Sequence, residues 1–207
     1  DNIPVLSFLR LKGRCRQCST KIGWRYPLVE AITALLTGVV AWQLGFGLFG
    51  AAAIALTWAL VALSTIDFDH QLLPDNITLP ALWAGLLLSV LGGPVSPADA
   101  VIGAAVGYLS LWLVFHGFRL ITGKEGMGYG DFKLLAVFGA WLGWQALPLI
   151  ILLSSVVGAL VGGGLIASGA LRRDQPMPFG PYIAAAGWIA MLWGDAIIQG
   201  YFSFAGL

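Results

Sequence analysis

Charge is what this chain has least of. Only 10% of its 207 residues are Asp, Glu, Lys or Arg, against about 25% in an ordinary soluble domain. The eleven Lys and Arg nearly cancel the ten Asp and Glu, leaving a net charge of +1. There is no basic excess to meet a phosphate backbone, which excludes a nucleic-acid-binding domain. Cysteine is nearly absent too, with two residues, so the chain is no disulfide-stapled secreted domain. Histidine occurs twice. No rhythm of short strands and turns runs along the chain, which speaks against a β-barrel. What fills the space is apolar: 58% hydrophobic residues and a mean hydropathy of +0.86. Such a chain is not disordered, and its partner is the lipid bilayer.

A helix crosses a bilayer with about 20 mostly apolar residues. Seven stretches meet or approach this: 28–44, 48–66, 77–91, 100–121, 132–144, 147–171 and 181–200, the third and fifth being short. Helices satisfy their own backbone groups in lipid, and the 28 glycines suit close helix packing there. The fold class is therefore an all-α polytopic membrane protein with about seven spans.

The few charges are sorted. Numbering the gaps between spans alternately, one side takes 1–27, 67–76, the region around 122–131, and 172–180. Every Lys and Arg lies on or beside that side: Arg10, Lys12, Arg14, Arg16, Lys21, Arg25, Arg119, Lys124, Lys133, Arg172 and Arg173. Basic loops stay cytoplasmic, so this side is expected to face the cytoplasm. Residues 1–26 are polar and basic with no apolar core, so they are no signal peptide. They read as a cytoplasmic loop continuing upstream of Asp1.

Acids at a membrane are costly and usually functional. Asp67 closes the second stretch, and Asp131 opens the fifth within Gly126-Met127-Gly128-Tyr129-Gly130-Asp131-Phe132-Lys133. Two carboxylates at one membrane edge can share a proton, one activating water while the other protonates the scissile carbonyl or the leaving amine. The plain alternative is two helix-end residues, Asp131 favouring a helix dipole. Helix ends also suggest an asymmetry: Asp131 ionised at an N-terminus, Asp67 holding the shared proton at a C-terminus. Gly128 and Gly130 leave room for an extended substrate beside Asp131. The segment lacks the Gly-Lys-Ser/Thr ending of a phosphate-binding loop. Asp69, Asp75, Glu125 and Lys133 stand close in sequence as supporting residues, the acids as attractors for a basic peptide. Cys15 and Cys18 form Cys-x-x-Cys, half of a tetrahedral zinc site, or else a redox or inert thiol pair.

In order along the chain stand Asn2-Ile3-Pro4-Val5-Leu6-Ser7, Gly13-Arg14-Cys15-x-x-Cys18, Arg25-Tyr26-Pro27-Leu28-Val29-Glu30, Ile66-Asp67, Leu73-Pro74-Asp75, the Gly126–Lys133 segment and Pro178-Phe179-Gly180-Pro181. By this ordered set the chain resembles the type IV prepilin peptidases, a branch of the GxGD intramembrane aspartyl proteases. The resemblance implies cleavage of the basic leader of type IV prepilins and type II secretion pseudopilins, after Gly, at the cytoplasmic face of the bacterial inner membrane. It implies Asp67 and Asp131 as the catalytic pair. It further implies N-methylation of the new N-terminus with S-adenosylmethionine, for which Glu30, an acid in the first stretch, is a weak candidate residue. Family members carry two Cys-x-x-Cys pairs that bind zinc. Here only Cys15 and Cys18 are present, and the other pair, with an eighth span, is expected before Asp1. Residues 1–27 then form a cytoplasmic loop with half a metal site, and 28–207 a transmembrane protease domain. The rival reading is a proton- or cation-coupled transporter using the same aspartates. It is disfavoured because transporter sites lie at the midplane between repeats, and no repeat is present.

Overall fold

The computed structural model describes residues 5–123, 126–170, 172 and 177–206. Among them are eight α-helices and no strand: α1 (Leu6–Arg10), α2 (Arg25–Leu44), α3 (Leu48–His70), α4 (Asp75–Val90), α5 (Pro97–Thr122), α6 (Tyr129–Leu142), α7 (Leu147–Ala167) and α8 (Gly180–Ala205). The seven helices from α2 onward overlie the seven apolar stretches. Five of them, α2, α3, α5, α7 with its leading turn, and α8, are long and apolar enough to cross a membrane. The other two have 16 and 14 residues, so they reach only about 24 and about 21 Å. They correspond to the two stretches that were short in sequence.

The chain divides into two compact units, Asp1–Val61 and Ala62–Leu207, with the division inside α3. In the first, the α2 and α3 helices are tied by a hydrogen bond from Trp58 Nε1 to Thr37 Oγ1 (3.0 Å). Before α2 lies a tight hairpin with a β-bridge between Arg14 and Lys21, entered through Gly13 at φ 70°.

In the second unit α6 is the centre. All ten residues from Phe132 to Trp141 except Lys133 are buried, because α4, α5 and α8 all pack on it. Small residues permit this closeness. At Gly103 of α5 an added Cβ would strike the carbonyl of Gly139 of α6, and one at Gly139 would strike that of Gly103. Gly85 of α4 makes room for the ring of Trp141, and Gly187 of α8 for Phe138. Trp141 Nε1 also donates to the carbonyl of Ala81 (2.8 Å). With lipid as solvent, such packing and hydrogen bonding replace the hydrophobic drive between helices.

Within the second unit the connections gather at two ends of the helices. At one end, Asp99 beside the α4–α5 turn accepts from Trp144 Nε1 (3.1 Å) and Gln145 Nε2 (3.4 Å) in the α6–α7 turn. Both turns belong to the side without basic residues. At the other end, residues 71–74 after α3, 126–128 before α6 and 177–179 before α8 meet around one cavity.

Candidate active site

That cavity has a volume of about 890 Å³, and both Asp67 and Asp131 line it. Each is 5% exposed. Asp67 lies one turn before the end of α3. Its carbonyl accepts the N–H of Gln71 (2.9 Å), whose φ of 53° ends the helix and turns the chain toward Leu72-Leu73-Pro74. Asp131 sits in the first turn of α6, and its carboxylate accepts the N–H of Gly128 at the helix cap (3.2 Å). A side chain reaching back to its own cap satisfies one of the orphan donors of a helix start.

Asp67 gains the equivalent bond from far along the chain. The N–H of Gly180, the first residue of α8, donates to Asp67 Oδ2 (3.1 Å). Asp67 thus closes its own helix but faces the start of another. The asymmetry expected from helix ends is corrected here. Both carboxylates are buried alike, and each accepts one backbone N–H at a helix N-terminus, so helix dipoles do not decide which one holds a shared proton.

Gly180 and Leu73 are the residues that sequence reasoning left out of the site. A Cβ on Gly180 would lie 2.7 Å from Asp67 Oδ2 and 3.0 Å from Leu73. A Cβ on Gly130 would lie 2.6 Å from Leu73 Cβ. Leu73, itself buried, therefore wedges between the glycine preceding Asp131 and the glycine holding Asp67. The signals were Leu73-Pro74-Asp75 and Pro178-Phe179-Gly180-Pro181, visible as motifs but not as neighbours. Met127, Tyr129, Met177 and Phe179 add apolar lining.

The supporting residues separate into two groups. Gly128, Gly130, Asp75 and Lys133 line the cavity, and Lys133 Nζ pairs with Asp75 Oδ1 at 2.5 Å, tying α6 to α4. Asp69 is exposed and does not line it. Lys124, Glu125, Arg173 and Asp174 lie outside the described residues, as does Asn2-Ile3-Pro4. Glu30 is exposed on the first turns of α2, where its carboxylate accepts the N–H of Val5 (2.8 Å). That bond ties the start of α1 to α2 and gives Glu30 a structural part.

Cys15 and Cys18 stand on the hairpin of the first unit. Cys15 N–H bonds to the carbonyl of Thr20 (2.9 Å) and Ser19 N–H to that of Cys15 (3.0 Å). Cys18 is exposed, and its Sγ lies 3.2 Å from Thr20 Oγ1. Hydrogen bonds from Thr20 hold its thiol down at about 7, which favours the thiolate that a metal needs. The described residues contain no group of three or more His, Cys, Asp or Glu placed to hold a metal. Two thiols do not complete a tetrahedral site.

Comparison with known proteins gives one consistent result. Residues 54–163 match the type IV leader peptidase family, and residues 1–44 the bacterial peptidase A24 N-terminal domain. A protein of Aeromonas salmonicida named prepilin leader peptidase/N-methyltransferase is 62% identical over 98% of this chain and 70% of its own length. Relatives of the same name from Pseudomonas aeruginosa (58% identical, 100% of this chain and 71% of the relative) and Legionella pneumophila (46% identical, 99% and 71%) are similar throughout. No solved structure matches the chain.

Proposed function

The chain belongs to the type IV leader peptidase family, and from that premise we propose that Asp67 and Asp131 are the pair with which it cleaves prepilins. It is a multi-pass membrane peptidase that removes prepilin leaders and carries N-methyltransferase activity, with S-adenosylmethionine as the methyl donor. The transporter reading finds no support among its relatives.

One observation carries the catalytic assignment: two buried carboxylates, each held by a backbone N–H, line one open cavity. In the proposed reaction one ionised carboxylate takes a proton from water, and the resulting hydroxide attacks the scissile carbonyl carbon. The partner carboxyl gives its proton to the carbonyl oxygen. The tetrahedral intermediate collapses as the first carboxyl protonates the leaving amine and the partner carboxylate takes back a proton from a hydroxyl of the diol, which becomes the product carboxyl group. The pair ends with one proton, as it began. Gly128 and Gly180 fix the oxygens that do this work, and the Gly126–Gly130 segment offers its backbone to an extended peptide.

The finer reading follows the substrate. A basic leader followed by an apolar helix places its scissile bond, after Gly, at the cytoplasmic face of the inner membrane. Type II secretion pseudopilins share that design. Asp75, which lines the cavity, and Asp69, exposed near the end of α3, supply negative charge toward a basic leader. Residues 1–27 serve as a cytoplasmic loop and 28–207 as the protease domain. Cys15 and Cys18 would give zinc half of its ligands, with two more required from outside the described residues; no catalytic step depends on it. Glu30, engaged with Val5, holds the loop rather than the methyl group.

Purified protein incubated with a prepilin and followed by mass spectrometry tests the reading. The leader is lost with the native chain and kept with Asp67→Asn or Asp131→Asn. Leader loss with either variant refutes the assignment.

A further inference from the structure

The first unit carries a second cavity that neither cleavage nor metal binding uses. It measures about 430 Å³ and is lined by Phe8, Leu9, Lys12, Gly13, Arg14, Lys21, Ile22 and Trp24. Its walls are aromatic, with the Phe8 and Trp24 rings packed edge to face at 4.9 Å. Gly13 lets the Phe8 ring close in, since a Cβ there would lie 3.1 Å from it. Around these rings stand three cations. The hairpin bridge between Arg14 and Lys21 brings two of them side by side, and Lys12 joins them from the turn after α1.

None of these three cations has a side-chain partner among the described residues. The sequence around them is basic: residues 5–29 hold six Lys and Arg and no Asp or Glu, and the carboxylate of the following Glu30 is engaged by the N–H of Val5. Three like charges around one cavity repel one another unless an anion joins them. A negative occupant would relieve that repulsion. This excludes the two molecules that the established activity brings to the protein. A prepilin leader is itself basic. The methyl donor carries a cationic sulfonium, and no carboxylate lines the cavity to meet it.

The place of the cavity identifies the anion's source. Trp24 immediately precedes α2, a helix long and apolar enough to cross a membrane, and Arg25 opens it. Leu9 and Trp24 line the cavity with the cations and are exposed, Trp24 at 74%, as are Leu6 and Tyr26 close by in sequence. Trp and Tyr favour the level of lipid headgroups, and basic clusters beside a membrane helix attract anionic lipid. We propose that Lys12, Arg14 and Lys21 bind the phosphate of an anionic phospholipid headgroup, with Phe8 and Trp24 seated against its glycerol and upper acyl chains. The loop would then be held on the membrane surface by lipid as well as by α2.

The test titrates the purified full chain, in neutral detergent, with dioctanoyl phosphatidylglycerol and with dioctanoyl phosphatidylcholine, and counts bound lipid by native mass spectrometry. Each cation near an anionic surface contributes about 1 kcal/mol, or about fivefold. The native chain should prefer phosphatidylglycerol by about 100-fold, and Lys12→Gln/Arg14→Gln/Lys21→Gln should lose that preference while cleaving a prepilin within about twofold of the native rate. The charge-keeping variant Lys12→Arg/Arg14→Lys/Lys21→Arg should retain it. Equal binding of the two lipids by the native chain, or an undiminished preference in the Gln variant, overturns the proposal. So does a Gln variant that keeps the lipid preference but no longer binds S-adenosylmethionine, which would make the cavity a methyl-donor site. Displacement of the bound lipid by equimolar inorganic phosphate would also overturn it, since a free anion would then suffice.

Discussion

The two carboxylates and the two thiols are held in opposite ways. Asp67 and Asp131 are 5% exposed, and a helix start points a backbone N–H at each. Cys18 stands on an exposed hairpin whose partner is a neighbouring threonine. One site is made by tertiary packing, the other by a local turn. Tertiary packing holds two acids together where water alone would let them drift apart and ionise independently. A local turn leaves its thiols accessible and asks for ligands from elsewhere. The difference predicts that injury to the first site is felt in cleavage and injury to the second is not.

The sharpest way to break this contrast is at the carboxylates. Asp67→Asn or Asp131→Asn removes an acid–base group and should lower prepilin cleavage by about 10³-fold or more, read as leader loss by mass, while membrane insertion is unchanged. Next comes Gly180→Ala. Its methyl group would sit 2.7 Å from Asp67 Oδ2, and displacing a reacting group by an ångström costs about 10²-fold. Circular dichroism should show the helices intact. Lys133→Met breaks a pair whose side chains are 27% and 55% exposed. Such pairs are worth about 1 kcal/mol or less, so kcat/KM should fall by about fivefold. The smallest effect belongs to the thiols. Cys15→Ser/Cys18→Ser should leave cleavage within about twofold. With its thiol held at about 7, Cys18 should be alkylated by iodoacetamide at a rate that rises with pH as the thiolate forms. The rate should level off above pH 7 rather than above the usual thiol range. A cleavage rate that follows the thiols, or survives the loss of an aspartate, would erase the contrast.

Much of this was readable before any coordinates. The apolar stretches became helices because lipid leaves the backbone no other partner, and the basic residues sorted the loops into two sets. In the second unit those sets meet at opposite ends, Asp99 with Trp144 at one and the cavity at the other. The sequence also named both aspartates and the glycines beside Asp131. It did not reveal what faces Asp67, because the donor stands 113 residues away and acts through a backbone group that every residue has. Helix-end reasoning failed there for the same reason: the helix that matters to Asp67 is not its own. Leu73 was hidden because its importance lies in filling space between two glycines, and volume leaves no chemical signature. Asp69, two residues after Asp67, does not line the cavity, because residues two apart on a helix face different ways while those three or four apart share a face.

The contact between Gly103 and Gly139 has a consequence for how such a protein varies over generations. Each glycine occupies the space that the other's side chain would need, so neither can be replaced while the other stands, and no change in the partner compensates because nothing smaller exists. Any substitution forces α5 and α6 apart and carries Asp131 with it. A position with no chemistry of its own thereby helps to hold in place the helix that carries Asp131.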